Sequence, residues 1–161
     1  MPHWLMKTEP TTYSIQDLAG EPNQTTCWEG VRNYQARNLL RDDIQVGDQV
    51  LFYHSACKEP AVTGVAKVSR AGYPDHHAFD KQSHYYDAKS NPDDPTWFMV
   101  DVTLDHVFAA PVTLKQLRAE AALAGSVLSD MMLLRKGSRL SVQPVTAKEF
   151  KKVVAMSKAK R

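Results

Sequence analysis

An α+β fold built on a mixed, curled sheet is what this sequence predicts, on three observations. Stretches at 49–54, 61–68 and 97–107 carry the β-branched, aromatic or alternating residues of a pleated, half-buried strand. Capping signatures at Ser14, Thr113 and Thr146, each with Asp, Gln or Glu three residues on, open short helices around them. The strands also lack the regular crossover spacing of a parallel sheet, which argues against a doubly wound fold.

Taken in order, Trp4-Leu5-Met6-Lys7 reads as a short strand that Pro10 ends by removing a backbone donor. Ser14 with Asp17 caps a turn or two of helix that stops at Gly20. Residues 22–26 are polar and turn-rich, so Trp28 emerges from a loop. A helix from about 33 to about 40 puts Ala36 and Leu40 on its core side and Arg37 and Arg41 on another face. Trp28 and Arg32 then precede its N-terminus.

After the turn at Val46-Gly47-Asp48, the strand at 49–54 points Val50, Phe52 and His54 one way and Leu51, Tyr53 and Ser55 the other. One set is expected to pack and the other to line a cavity. The strand at 61–68 completes an antiparallel hairpin, with Gly64 marking a bulge. Residues 70–95 show no periodicity and read as a long functional loop. The strand from Trp97 alternates, Phe98, Val100, Val102 and Leu104 against Met99, Asp101, Thr103 and Asp105. Thr113 and Gln116 open a helix over 114–123 that Gly125-Ser126 closes, and a second is expected over 127–135, stopping at Gly137. A strand at 139–143 ends at Pro144. Thr146 and Glu149 then open a terminal helix with Phe150, Val153, Val154 and Met156 on its apolar face.

The densest recognition chemistry lies in Trp28-Glu29-Gly30-Val31-Arg32-Asn33-Tyr34-Gln35-Ala36-Arg37-Asn38. Trp28 and Tyr34 offer stacking faces, and each amide offers an acceptor and two donors suited to a base edge. The competing reading makes Trp28 a core aromatic and the polar residues helix caps. Neither a phosphate-loop pattern nor paired carboxylates occur in this run.

That run resembles the signature of the EVE domain, a PUA-like family related to the YTH and ASCH domains. Further blocks agree in order: Trp4-Leu5-Met6-Lys7-Thr8-Glu9-Pro10, Phe52-Tyr53-His54-Ser55, Tyr85-Tyr86-Asp87, Trp97-Phe98-Met99-Val100-Asp101-Val102 and Leu140-Ser141-Val142-Gln143-Pro144. The resemblance spans nearly the whole chain. It implies one domain over 1–161, folded as a PUA-like pseudo-barrel of mixed, mainly antiparallel strands with short helices around it; the basic run after about 156 reads as a frayed tail or a solvated helix face, with attraction of nucleic acid as the alternative. It also implies a pocket for a single, often modified, nucleobase.

Length and composition fit that expectation. The 161 residues suit one domain that buries about two-thirds of its unfolded surface. No apolar run approaches the ~18 residues of a membrane helix, so no membrane partner is expected. Met1-Pro2-His3-Trp4 runs straight into the first family-like block, which leaves no room for a signal peptide and points to the cytoplasm. In that reducing compartment Cys27 and Cys57 are expected as free thiols. A net charge of +2 is too small for blanketing a long phosphate backbone. Acidic residues gather at Asp75, Asp80, Asp87, Asp93 and Asp94, and basic ones at Lys148, Lys151, Lys152, Lys158, Lys160 and Arg161.

Catalytic chemistry finds little support. His54 and Ser55 are adjacent on a strand, so they point to opposite faces and cannot form a nucleophile–base pair. His76, His77 and His84 match no common zinc spacing, and the cysteines lack one too. No catalytic residue, cofactor or metal is therefore expected.

The expected function is non-enzymatic binding of one modified nucleobase in DNA or RNA, with a separate nuclease or effector as a further partner. The candidate base-binding residues are Trp28, Asn33, Tyr34, Tyr53, His54, Ser55, Trp97, Ser141 and Gln143. Arg32, Arg37, Arg41 and Arg139 are candidates for flanking phosphates, with surface charge or internal ion pairing as the alternative. Two other classes compete: an RNA-binding module reading a splayed-out base, and an enzyme acting on a modified nucleotide.

Overall fold

The computed structural model describes residues 2–135 and 140–158. Arg139 and the expected helix stop at Gly137 lie outside them. Six strands form one sheet: β1 (His3–Thr8), β2 (Thr25–Cys27), β3 (Gln49–His54), β4 (Ala61–Pro74), β5 (Phe98–Thr113) and β6 (Val142–Val145), in the order β2-β5-β4-β3-β1-β6. All neighbours are antiparallel except β1 and β3. The class is the expected α+β, mainly antiparallel. Among the described residues, however, the sheet is open at β2 and β6 and does not close into a barrel.

The period-two alternation sorts side chains into two cores, one on each face. Trp4, Met6, Val50, Phe52, Val100 and Val102 pack on one face under α1 (Ile15–Ala19) and α2 (Tyr34–Asn38), which add Ile15, Leu18 and Ala36. Leu5, Leu51, Tyr53, Val65 and Val112 pack on the other under α3 (Leu114–Ala121) and α4 (Ala147–Lys158), which add Leu117, Phe150 and Val153. Val50 and Phe52 on one face of β3 and Leu51 and Tyr53 on the other are therefore all packed, so neither face lines a cavity along its length as expected, and only His54 at the strand's end reaches one among the described residues. Each large side chain so buried contributes roughly 1.5–3 kcal/mol.

Capping chemistry sets the helix starts. The Ser14/Asp17, Thr113/Gln116 and Thr146/Glu149 pairs each close both reciprocal hydrogen bonds of a capping box. Leu40 lies on the core side as expected, in a π-turn over Leu39–Asp43 that prolongs α2. The helix expected over 127–135 is absent apart from a 3-10 turn at Met132–Leu134. There Ser126 Oγ accepts from the Leu128 N–H at 3.1 Å, offering the backbone a local alternative to the helix. The last strand also starts later than expected and continues through Pro144, which fits because β6 is an edge strand.

Gly64 sits beside the expected bulge, where the β3–β4 register shifts between Phe52 and Tyr53. A Cβ there would lie 2.4 Å from Ile15 Cδ1 and 2.5 Å from the His106 carbonyl oxygen, so the missing side chain lets α1 reach the sheet. Asp48, buried at the β3 entry, accepts the Trp4 indole N–H and the Gln45 N–H, each at 2.9 Å.

His54 Nε2 accepts the Ile15 N–H at 3.1 Å, so the ring is neutral in the native state. Burial holds its pKa below the ordinary 6.5, with Asp17 acting in the opposite sense. The unfolded chain therefore takes up a proton that the native state refuses, and stability, complete above the unfolded value, falls as pH drops below it. His54→Gln is expected to flatten the decline of Tm between about pH 7 and pH 5 relative to the parent. Parallel Tm–pH curves would assign the acid sensitivity to other groups.

Candidate nucleic-acid interface

The run 28–38 does not face a cavity along its length. Its first half bends along a cleft and its second half forms α2. Asn33 is the N-cap of α2, its Oδ1 accepting the Ala36 N–H at 3.0 Å. Tyr34 is 63% exposed, with its ring 5.0 Å from that of Trp97. Arg37 donates to the Thr96 carbonyl at 2.7 Å and to Asn38 Oδ1 at 2.8 Å. Arg41 is exposed and paired with Asp42 at 2.8 Å, which holds that carboxyl below the usual aspartate range.

Gly30 and Arg32 turn inward. Asp75, fully buried, accepts the Gly30 N–H at 2.9 Å and Arg32 Nη1 at 3.0 Å through Oδ2, and the His77 N–H at 2.9 Å through Oδ1. Arg32 also donates to the Val31 and Tyr85 carbonyls, at 3.1 Å and 2.6 Å. Three internal acceptors thus engage the guanidinium, which is the internal ion pairing weighed against a flanking phosphate. Gly30 has φ +82°, and a Cβ on it would lie 2.4 Å from Tyr85 Cε1. Only glycine satisfies both that backbone and that close approach.

Aromatic rings and guanidinium groups run in a column through this region. The Arg37 guanidinium carbon lies 5.3 Å from the Tyr34 ring, Tyr34 meets Trp97, and the Arg32 carbon lies 5.3 Å from Trp97 and 5.6 Å from Tyr85. Trp97 is buried, and its indole N–H donates to Asp87 Oδ2 at 2.7 Å. The Tyr85-Tyr86-Asp87 and Trp97 blocks thus meet the 28–38 run across the long loop.

A cavity of about 340 Å³ opens at the Tyr85 end of this column. Its walls are Lys7, Thr8 and Glu9 at the end of β1, Thr12 and Tyr13 before α1, the segment from Thr26 to Arg32, Tyr85, and Ser141 before β6. Trp28 is both wall and core: it lines the cavity, is only 8% exposed, and meets Phe52 edge-on at 5.4 Å. It is less solvent-facing than a loop position implied, because its N–H continues the β2–β5 pairing to the Val100 carbonyl at 2.7 Å. Burial lowers the pKa of Lys7 and raises that of Tyr13. The Tyr13 hydroxyl, facing Thr26 and Glu21, is buried without closing an ordinary hydrogen bond.

Of the candidate base-binding residues, the structure brings Trp28 and Ser141 together at this cavity. Tyr53 packs in the core on the other face of the sheet. His54 lines a second cavity of about 540 Å³ near Glu59, Thr63 and Lys115. Ser55 donates its N–H to the Thr8 carbonyl at 2.9 Å, and buried Gln143 donates to the Leu140 carbonyl at 2.9 Å. Lys7, Glu9, Tyr13 and Tyr85 were not singled out. Their one signal was membership of the Trp4–Pro10 and Tyr85–Asp87 blocks, which does not extend to Tyr13.

At the edge of the cavity Cys27 Sγ donates to Glu29 Oε2 at 3.4 Å and lies 4.0 Å from His77 Nε2. Burial, then the charge of Glu29, pushes the thiol up to about 12.

Comparison with known proteins accords with this geometry. Residues 2–156 match the EVE domain family. Thymocyte nuclear protein 1 of Danio rerio is 45% identical over 165 residues, covering 95% of this chain and 71% of the relative. The structure of human THYN1 protein in complex with 5-methylcytosine-containing DNA superposes with a TM-score of 0.92 at 41% identity, covering 100% of both chains. A Pseudomonas putida protein superposes with a TM-score of 0.87 at 45% identity, covering 96% of this chain and 99% of that one. Family match and fold agree along the chain, which belongs to the EVE domain family.

Proposed function

We propose that this chain is a non-enzymatic reader that takes one modified nucleobase, 5-methylcytosine in DNA in the first instance, into the 340 Å³ cavity beside Trp28. The observation that carries the reading is the full-length likeness, at a TM-score of 0.92, to human THYN1 protein solved with 5-methylcytosine-containing DNA. The cavity supplies the physical means. Its volume lies at the small end of the ~300–1,000 Å³ of ligand pockets, a size for one small flat molecule. Extracting a base costs a few kcal/mol, and an aromatic stack with one good edge contact returns about 1–3 kcal/mol each. Trp28 and Tyr85 offer aromatic surface, Glu9 suits the cytosine amino group as acceptor, and Lys7 and Ser141 offer donors.

Turnover is not part of the proposal. Cys27 and His77 approach as a nucleophile and base would, but burial, with the neighbouring Glu29 carboxylate adding to it, favours the protonated thiol at neutral pH. Cleavage of marked nucleic acid would then fall to a separate nuclease or effector, and the cytoplasm is the proposed compartment.

Titration with matched oligonucleotides carrying cytosine or 5-methylcytosine, as DNA and as RNA, tests the reading. Tighter binding of the methylated DNA is expected. Equal affinity for both bases would overturn methyl recognition, and preference for RNA would transfer the site to the RNA-binding class. Affinity should fall only shallowly with salt, since the net charge is +2 and Arg32 is internally engaged. A slope matching ~6–10 phosphate contacts would instead indicate an extended backbone groove.

Trp28→Ala should lower both stability and binding, because one side chain is wall and core. The stability loss is expected at about 3–5 kcal/mol, so binding is measured well below the variant's Tm. Trp28→Phe keeps a smaller ring and should retain more of both. Normal binding by folded Trp28→Ala would place the site elsewhere. Gly30→Ala should cost roughly 1–2 kcal/mol for its left-handed backbone and weaken binding by displacing Tyr85. Unchanged affinity in that variant would remove Tyr85 from the site.

A further inference from the structure

The groups around Cys27 make up a donor set that nucleobase reading does not use. Cys27 ends β2, Glu29 follows it past Trp28, and His77 arrives from the 3-10 turn His76–Phe79, fifty positions along the chain. One ligand-capable atom from each lies within 4.8 Å of the other two. The three side chains are half-buried, so the cluster is neither a solvated acidic patch nor a lone thiol.

Metal–ligand distances give a measure of fit. With Zn–S about 2.3 Å and Zn–N or Zn–O about 2.0–2.2 Å, tetrahedral angles separate neighbouring ligand atoms by roughly 3.4–3.6 Å. The observed sulfur–oxygen distance of 3.4 Å already matches, and the sulfur–nitrogen distance of 4.0 Å exceeds the range by a few tenths of an ångström. A shift of the His77 ring by that amount would bring its Nε2 into range. The turn itself is anchored, since Asp75 holds the His77 N–H. Asp101, opposite Cys27 in the β2–β5 register, adds a further carboxylate whose charge acts on the thiol.

We propose that Cys27 Sγ, Glu29 Oε2 and His77 Nε2 form a binding site for a divalent transition metal of the zinc class, with water completing a four-coordinate shell. The thiol proton passes to solvent as the metal–sulfur bond forms. Thiolate and carboxylate then neutralise the dication, while imidazole binds as the neutral ligand. Bound metal pins the end of β2 to the 75–79 turn and so braces the cavity wall from Cys27 to Glu29. Mixed sulfur, nitrogen and oxygen donors favour zinc or cobalt over magnesium or calcium, which prefer oxygen alone.

The test uses the untagged full chain without nucleic acid, so its outcome is independent of base recognition. Co²⁺ and Zn²⁺ are titrated directly, the first followed by absorption and the second by competition with a chromophoric chelator. One Co²⁺ per chain with a thiolate-to-cobalt charge-transfer band is expected in the parent and in Cys57→Ser, and no such band in Cys27→Ser. Losing an outer-shell partner alone typically costs about 10–100-fold in metal affinity, so His77→Gln and Glu29→Gln should each lose at least that much. Circular dichroism establishes that each variant is folded, and Zn²⁺ should raise the Tm of the parent but not of His77→Gln. Absence of saturable binding, a bound cobalt spectrum without the thiolate band, or unchanged affinity in folded Cys27→Ser or His77→Gln would each overturn the site.

Discussion

The Arg32–Asp75 ion pair is the constraint on which the rest of the site depends. Asp75 is fully buried, and an isolated carboxylate there would carry a desolvation cost of several kcal/mol. Three donors answer it: the Arg32 guanidinium, the Gly30 N–H and the His77 N–H. Those donors belong to two segments that are distant in sequence, the run after β2 and the loop after β4. One carboxylate therefore fixes where the loop crosses, and with it the positions of Tyr85, Trp97 and His77. Arg32 extends the constraint by capping the Tyr85 carbonyl and lying near both the Tyr85 and Trp97 rings.

Much of the fold was legible because its determinants are local. Alternation in 49–54 sorts Val50 and Phe52 from Leu51 and Tyr53, as the two cores do. Three capping boxes fall where Ser14, Thr113 and Thr146 placed them. Local rules misled over 127–135, where the spacing of Leu128, Met131 and Leu133 suits a buried face but Ser126 diverts the backbone into turns. They also could not foresee that helices cover both faces of the sheet, since burial of Leu51 and Tyr53 depends on α3 and α4 from the far end of the chain.

The candidate cavity was legible more as a region than as residues. A run dense in amides and aromatics does mark the region, yet Asn33 caps a helix, Tyr34 and Trp97 stack on each other, and Arg32 and Arg37 donate to backbone carbonyls. Side-chain inventory reports what a segment can bond, and the backbone path decides whether those bonds point to a ligand or to the protein. Here the path turns at Gly30, so the residues from Thr26 to Arg32 line the cavity and those from Asn33 onward form α2. Cavity residues such as Lys7 and Tyr13 come from other parts of the chain, where neither spacing nor density singles them out. The three-residue cluster at Cys27 was illegible for the same reason, because His77 reaches it only through the fold of the loop.

The double role of Trp28 bears on the selectivity expected of the cavity under the proposed base reading. A ring that is 8% exposed and set edge-on against Phe52 is held in place by core packing. Its backbone is pinned to Val100 and its neighbour Gly30 to Asp75, so wall and backbone are both set before any ligand arrives. Preorganisation of this kind lowers the ordering cost of binding and makes shape a stringent filter. One extra methyl in an apolar pocket is worth only about 1–3 kcal/mol, and a soft wall would dissipate that difference by adjusting to either base. A wall drawn from the core would, under the proposed reading, let it register as discrimination. Under that reading, the same rigidity would leave contact with a nucleic-acid backbone to groups outside the core, for which Arg41 is a candidate, exposed and paired with the neighbouring Asp42.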